Sequence, residues 1–157
     1  MKNKDMMHLL TWIVGFQLIG PLLGLLTKVK MNPWYELLEK SSLTPPGFVF
    51  SIVWTILYTL LAIAGYLLWS AKKFKGQDNA KLFYGLQMIC NWSWTPLFFY
   101  LHKVGLSLAS IVCILIFTSS TMYYSYKKLI KVVYLLLPYL LWCSFALYLN
   151  LYIWCYN

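Results

Sequence analysis

Residues 47–69 read GFVFSIVWTILYTLLAIAGYLLW, without a charged or amide side chain. At about 1.5 Å per residue, such a helix crosses a hydrocarbon core about 30 Å thick. A helix of this length on a soluble bundle would carry a polar stripe, and this one carries none. Four further runs share its character: Met6–Leu26, Leu82–Leu101, Val104–Tyr126 and Val132–Trp154. The reading is all-α: one domain, residues 1–157, forming an integral membrane bundle of five transmembrane helices. Its spans are 6–26, 47–69, 82–101, 104–126 and 132–154, and a long loop, 27–46, joins the first two.

Composition agrees. Apolar residues make up 61% of the chain and charged ones 11%, against about 45–50% and about 25% in soluble domains. The net charge of +9 comes from lysine, with no arginine. These lysines lie between apolar runs instead of forming a patch, so nucleic acid is excluded as a partner and the lipid membrane takes its place. Nine fall at the N-terminus and in the second and fourth loops, and four in the first and third. The positive-inside rule then puts the N-terminus inside and the C-terminus outside. Met6–Leu26 has a signal-peptide flavour but is long enough to span and has no small-x-small cleavage site, so it reads as a retained helix. Cys90, Cys113, Cys143 and Cys155 show none of the clustered spacing of a disulfide framework or zinc site and read as small apolar residues.

Proline and glycine punctuate the runs. Pro45-Pro46 opens the second span, and Pro96 and Pro138 should kink the third and fifth. Gly20 and Gly24 form a small-xxx-small pair suited to close packing, within the bundle or in a dimer.

Depth singles out one band of residues. Trp12, Trp69 and Trp154 suit an interfacial aromatic belt, whereas Trp54, Trp94 and Trp142 lie deeper. Measured from the side of loops one and three, Trp54 and Trp94 lie about 10–12 Å deep, Asn91 about 15 Å and Trp142 about 18 Å. Asn91, Trp94 and Phe98 share a helix face, as do Trp142, Ala146 and Leu149, and Trp54 with Tyr58. An asparagine at that depth should face the bundle interior. The band reads equally as a packed aromatic core or as a pocket for a flat apolar ligand. In the second case loop one, with Trp34, Tyr35, Leu37 and Leu38, would act as its lid.

Acid–base chemistry is absent. Asp5, Glu36, Glu39 and Asp78 all lie in loops or tails, leaving no buried carboxylate pair. His8 and His102 lie at opposite sides and cannot share a metal. No phosphate loop or nucleophile elbow occurs. No catalytic residue, metal or required cofactor is expected on these grounds.

Three segments carry a family resemblance. They are Trp34-Tyr35 with Lys40, then Thr44-Pro45-Pro46-Gly47-Phe48-Val49-Phe50 and Val53-Trp54 with Leu57-Tyr58; Asn91-Trp92-Ser93-Trp94-Thr95-Pro96-Leu97-Phe98-Phe99; and Pro138-Tyr139-Leu140-Leu141-Trp142-Cys143-Ser144-Phe145-Ala146, followed by Leu149-Asn150 and Asn157. In this order the chain resembles the tryptophan-rich sensory protein and translocator protein (TspO/MBR) family over nearly all of 34–157. The resemblance implies a five-helix bundle, a homodimer, and a lid-side pocket for porphyrins and other tetrapyrroles or for isoquinoline and benzodiazepine drugs. Carried over by motif, the pocket uses Tyr35, Trp54, Asn91, Trp94, Trp142, Phe145 and Ala146. Where the family has a lysine, a proline and a tryptophan before the paired prolines, Lys40-Ser41-Ser42-Leu43 stands here, which puts lid rigidity in question. The animal members' C-terminal sterol motif lacks its basic residue. Absent arginine and short tails look bacterial, so the bacterial cell membrane is the expected location.

Three functions follow as expectations. The first is a membrane receptor or carrier for tetrapyrroles with a transport or sensory-regulatory role. Its macrocycle would stack on Trp54, Trp94 and Trp142, with its carboxylates near Lys28, Lys30 and Lys40. The second is a light-dependent porphyrin-degrading enzyme using Trp54 and Trp142 as redox partners. The third is a regulatory partner of another membrane protein.

Overall fold

The computed structural model describes residues 3–31 and 33–157, with side chains for 4–25 and 33–157. The elements are α1 (Asn3–Met31), α2 (Trp34–Leu37), α3 (Gly47–Ser70), α4 (Gln77–Thr95), α5 (Val104–Ser125) and α6 (Ile130–Tyr156), and a π-helical turn at Pro96–Tyr100 continues α4. No strand occurs among the described residues.

The long helices close into a ring. α1 packs on α3, α3 on α6, α6 on α5, α5 on α4, and α4 with its π turn returns to α1. The core runs down the ring's axis through Leu57, Leu61 and Leu68 of α3, Tyr84 and Met88 of α4, Ile114 of α5, and Leu136 and Tyr139 of α6. Leucine, isoleucine and aromatic side chains cover the outside: Leu10, Val14, Leu18 and Leu22 of α1, Ile52 and Ile56 of α3, and Ile116 of α5 are all exposed. Such a surface is stable only against lipid. The chain is thus a multi-pass membrane protein.

Among the described residues, four helical segments are long and apolar enough to cross a bilayer: Lys4–Leu25, Gly47–Ser70, Val104–Ser125 and Ile130–Tyr156. The expected span 82–101 does not join them. Its helix begins earlier, at Gln77, and buries Gln77, Gln87 and Asn91, which lowers its apolarity. A helix that turns amides into a ring is less hydrophobic than its neighbours although it packs among them.

Local details revise other expectations. Where a disruption was expected, the helix changes type at Pro96. Lacking an N–H, it breaks the i→i−4 ladder, and the next turn widens so that Leu101 N donates to Pro96 O at 2.9 Å. α6 runs through Pro138 as one helix. A Cβ on Gly20 would stand 3.3 Å from the Tyr58 ring, so this glycine serves packing within the bundle, whereas Gly24 meets nothing within 4 Å. Gly65 marks the tightest approach, where a Cβ would run into the Trp12 ring and come within 2.8 Å of the Tyr84 hydroxyl. The loop expected at 27–46 is partly helical, since α1 continues to Met31 and α2 follows.

Candidate ligand site

Asn91 ties three helices through one amide. Its Oδ1 accepts from the Tyr58 hydroxyl of α3 at 3.0 Å, and its Nδ2 donates to the Tyr139 hydroxyl of α6 at 2.9 Å. All three residues are buried. The deep asparagine expected to face the interior does so, and its partners satisfy it where water is absent.

Aromatic rings flank this node in two adjoining groups. On the α3/α6 side, Trp54 lies 5.4 Å from Tyr58 and 6.4 Å from Tyr139, ring centre to ring centre. One turn beyond Tyr139 on α6, Trp142 meets Phe50 and Phe145, each at 5.7 Å. The Trp142 Nε1 is buried and has no hydrogen-bond partner. Ala146 is half-buried and Leu149 buried on the same helix.

On the α5 and lid side, Trp94 turns its Nε1 to Asn150 Oδ1 at 3.1 Å and stacks on Phe98 at 5.2 Å. Asn150 also accepts from Ser107 Oγ at 2.9 Å and donates to Val104 O at 3.2 Å, pinning the start of α5 to α6. Phe98 receives the lid: Trp34 lies 5.5 Å and Tyr35 6.1 Å from it. The structure therefore sets Trp54 against Tyr58 and Tyr139, Trp142 against Phe50 and Phe145, and Tyr35 and Trp94 against Phe98, with Asn91 bonded to Tyr58 and Tyr139. Trp94 also meets Phe99 edge-on at 5.7 Å.

The lid is held by polar contacts. Lys40 Nζ donates to the carbonyls of Tyr35, Leu38 and Glu36 at 2.8, 3.0 and 3.2 Å and lies 4.9 Å over the Tyr35 ring. It caps α2's last carbonyls with a cation, as a helix C-terminus favours. Lys40 is thus a lid strut, its amine engaged by the lid's own carbonyls; the side chains of Lys28 and Lys30 lie outside the described residues. Ser41, buried where a stiff proline was missed, shares a 2.9 Å hydrogen bond with the Tyr148 hydroxyl. Asn157 pairs with the main chain of Glu39 in both directions, at 2.9 and 3.2 Å. Burial pushes the Tyr35 phenol above its ordinary value. His102, at φ 54°, stacks on Trp34 at 4.0 Å and closes the lid's outer edge. Beside it, an open recess of ≈ 670 Å³ is lined by Trp34, His102, Lys103, Gly105, Trp154 and Asn157 among others.

Tyr139, Phe50 and the Ser41–Tyr148 pair were not singled out from the sequence. Tyr139 and Phe50 had a signal, lying three residues before Trp142 and four before Trp54 on one helix face. Among the described residues no group of three metal-ligating side chains occurs.

A multi-pass helical ring with tryptophans and an asparagine node inside and a tethered loop over one end defines a class of membrane protein. Residues 9–155 match the TspO/MBR family, and the chain belongs to it. It is 33% identical over 153 residues to the tryptophan-rich protein TspO of Archaeoglobus fulgidus, covering 98% of this chain and 99% of that one. A tryptophan-rich sensory protein of Cereibacter sphaeroides is 32% identical, covering 78% of this chain and 75% of its own. The translocator protein of Sus scrofa is 33% identical, covering 90% and 87%.

Proposed function

We propose that this protein is a membrane receptor or carrier for tetrapyrroles such as porphyrins and for similar flat hydrophobic ligands, with a transport or sensory-regulatory role. The observation that supports it is the Trp142 indole N–H, a buried donor with no acceptor among the described residues, set beside Phe50 and Phe145 and one turn from the small Ala146. An unmet donor in an apolar setting costs about 1–3 kcal/mol and is relieved by a ligand that brings an acceptor. A planar macrocycle against Trp54 and Trp142 gains about 0.5–1.5 kcal/mol per offset ring contact beyond its burial. Acidic substituents would reach the lid-side surface, where Lys103 stands in loop three. The names of the relatives, sensory protein and translocator, agree with sensing or transport. The reading takes α4 with its π turn as a fifth span, since it packs in the ring with the four apolar helices, and takes the protein as a homodimer in a bacterial cell membrane.

Tryptophan-fluorescence quenching by protoporphyrin tests this in detergent or nanodiscs. Saturable quenching at micromolar or lower ligand, weakened about tenfold or more by Trp142→Leu, is expected; a tenfold change corresponds to about 1.4 kcal/mol. Linear, unsaturated quenching indifferent to that substitution would refute a site at Trp142.

A further inference from the structure

Gln87 is 1% exposed, yet neither its Oε1 nor its Nε2 has a hydrogen-bond partner among the described residues. The same holds for the hydroxyls of Thr118 and Ser125, both 0% exposed. These side chains share the seam between α4 and α5. Two contacts set its antiparallel register: Ser110 Oγ donates to Cys90 O at 2.9 Å, and the rings of Phe83 and Phe117 stack at 6.0 Å. Both pairs place Gln87 level with Cys113. Thr118 then stands about 7.5 Å by helical rise toward the end of loops two and four, and Ser125 about 10 Å further along. Side chains tilt toward the N-terminus of their own helix, and α4 and α5 run in opposite directions, so Gln87 and Thr118 lean toward each other. Beyond Ile114, the buried residues of α5 are all hydroxyl ones: Thr118, Thr121 and Ser125. The buried α4 residues on this stretch are the small Ala80 and Tyr84, whose hydroxyl donates to Leu61 O of α3 at 2.7 Å.

We propose that the α4–α5 seam is a binding site for internal water, which bridges Gln87 to Thr118 and continues past Thr121 to Ser125, at the lysine-bearing end of the bundle. The balance of donors and acceptors selects water. Gln87 Oε1 needs a donor, its Nε2 needs an acceptor, and each of the two hydroxyls has a proton to give. A metal cation offers no lone pair to Nε2, and an anion offers no proton to Oε1; water meets both. A buried water takes about 2–4 polar partners. Gln87 and Thr118 supply them, with the Thr121 oxygen, whose own proton goes to Phe117 O at 2.9 Å. Asn91 lies one turn beyond Gln87 on the same face of α4 and is already satisfied by Tyr58 and Tyr139. The water therefore ends one turn short of the asparagine node. It gives α4 a wet seam within the bilayer and a reason for the amide at position 87.

The test is water-edited solid-state NMR of the full chain in lipid bilayers, with glutamine labelled. The chain has Gln17, Gln77 and Gln87, and only Gln87 precedes a methionine, so its side-chain signal is assigned through the peptide to Met88 without any substitution. The Gln87 Nε2 protons are expected to gain polarisation from water well before those of Gln17, which donates to Thr55 O and Thr59 Oγ1 between α1 and α3. Transfer to Gln87 no faster than to Gln17 would overturn the site. Thermal scans add a test by sign. Gln87→Met keeps the side chain's length and removes its polar atoms. A dry, orphaned amide would be relieved by this change and the melting temperature would rise. With water in place, the substitution takes a partner from that water, and the melting temperature is expected to fall by several degrees, as it should for Thr118→Val. Because the two residues share a bridge, the double variant should lose less than the two single shifts combined. A rise in either single variant would overturn the water, and additive shifts would overturn the shared bridge.

Discussion

Replacing Asn91 by leucine tests the node on which the bundle's interior rests. The two side chains have the same heavy-atom branching, so the change removes hydrogen bonds while keeping the side chain's outline, and the bulkier methyls add a packing cost that the triple variant below separates. In the wild type, Asn91 accepts from Tyr58 and donates to Tyr139. The leucine variant leaves both phenol oxygens without that partner, at positions 7% and 0% exposed. An orphaned buried hydroxyl costs about 1–3 kcal/mol, whereas hydrogen bonds between membrane helices average only about 0.6 kcal/mol because the unfolded chain in lipid also finds partners. Two groups between those limits give about 2–4 kcal/mol. At about 2–4 °C per kcal/mol for a chain of this size, the melting temperature should fall by about 5–15 °C. Intrinsic-fluorescence thermal scans in one detergent read this directly. The decisive variant is the triple one, Asn91→Leu with Tyr58→Phe and Tyr139→Phe. With no polar group left to orphan, it should regain most of the loss. A triple variant as unstable as Asn91→Leu alone would refute the account, since the cost would then lie in packing.

Three other outcomes follow from the geometry. Gly65→Ala should destabilise by about 1–3 kcal/mol in the same scan, because the added methyl collides with the Trp12 ring and the Tyr84 hydroxyl and must push α1 or α4 outward. Tyr148→Phe and Asn157→Ala, which release Ser41 and Glu39, should raise hydrogen exchange and protease cleavage across residues 38–46 severalfold while leaving the core amides protected. Tyr35 has a raised pKa, so the unfolded phenol ionises first as pH climbs: the lid's contribution is full below pH 10.0 and is lost above it, which ultraviolet titration against Tyr35→Phe should show.

Helix positions were largely legible in the chain because apolarity over a span is a local property. The reading of 47–69 differs from the observed 47–70 by one residue, and 104–126 from 104–125 by one. α4 was harder. Gln77, Gln87 and Asn91 lower its hydropathy, and a window cannot tell amides turned into a ring from amides facing water. Pro96 signalled a disruption but not which one; the π turn depends on the Leu101 and Lys103 amides finding carbonyls further back. In the site, the depth of Asn91 and the tryptophans could be counted from helical rise, and the inward orientation followed from bilayer physics. Their partners could not be read this way, because Tyr139 lies 48 residues from Asn91 and only the ring order brings them together. The lid shows the same limit. A missing proline reads as lost stiffness, whereas Ser41 finds Tyr148 across 107 residues.

The ring order α1–α3–α6–α5–α4 differs from the order in which the helices are made. α3 and α6, neighbours in space, are separated in synthesis by α4 and α5. Until α6 enters the bilayer, Tyr58 and Asn91 have no Tyr139, Trp94 has no Asn150, and the lid has neither Tyr148 nor Asn157. The interior is therefore completed only when the last helix arrives. During translation the chain must carry an amide and several indoles in lipid without their final partners, and only its last helix, arriving between two already inserted, turns a row of spans into a closed barrel of helices with an inside.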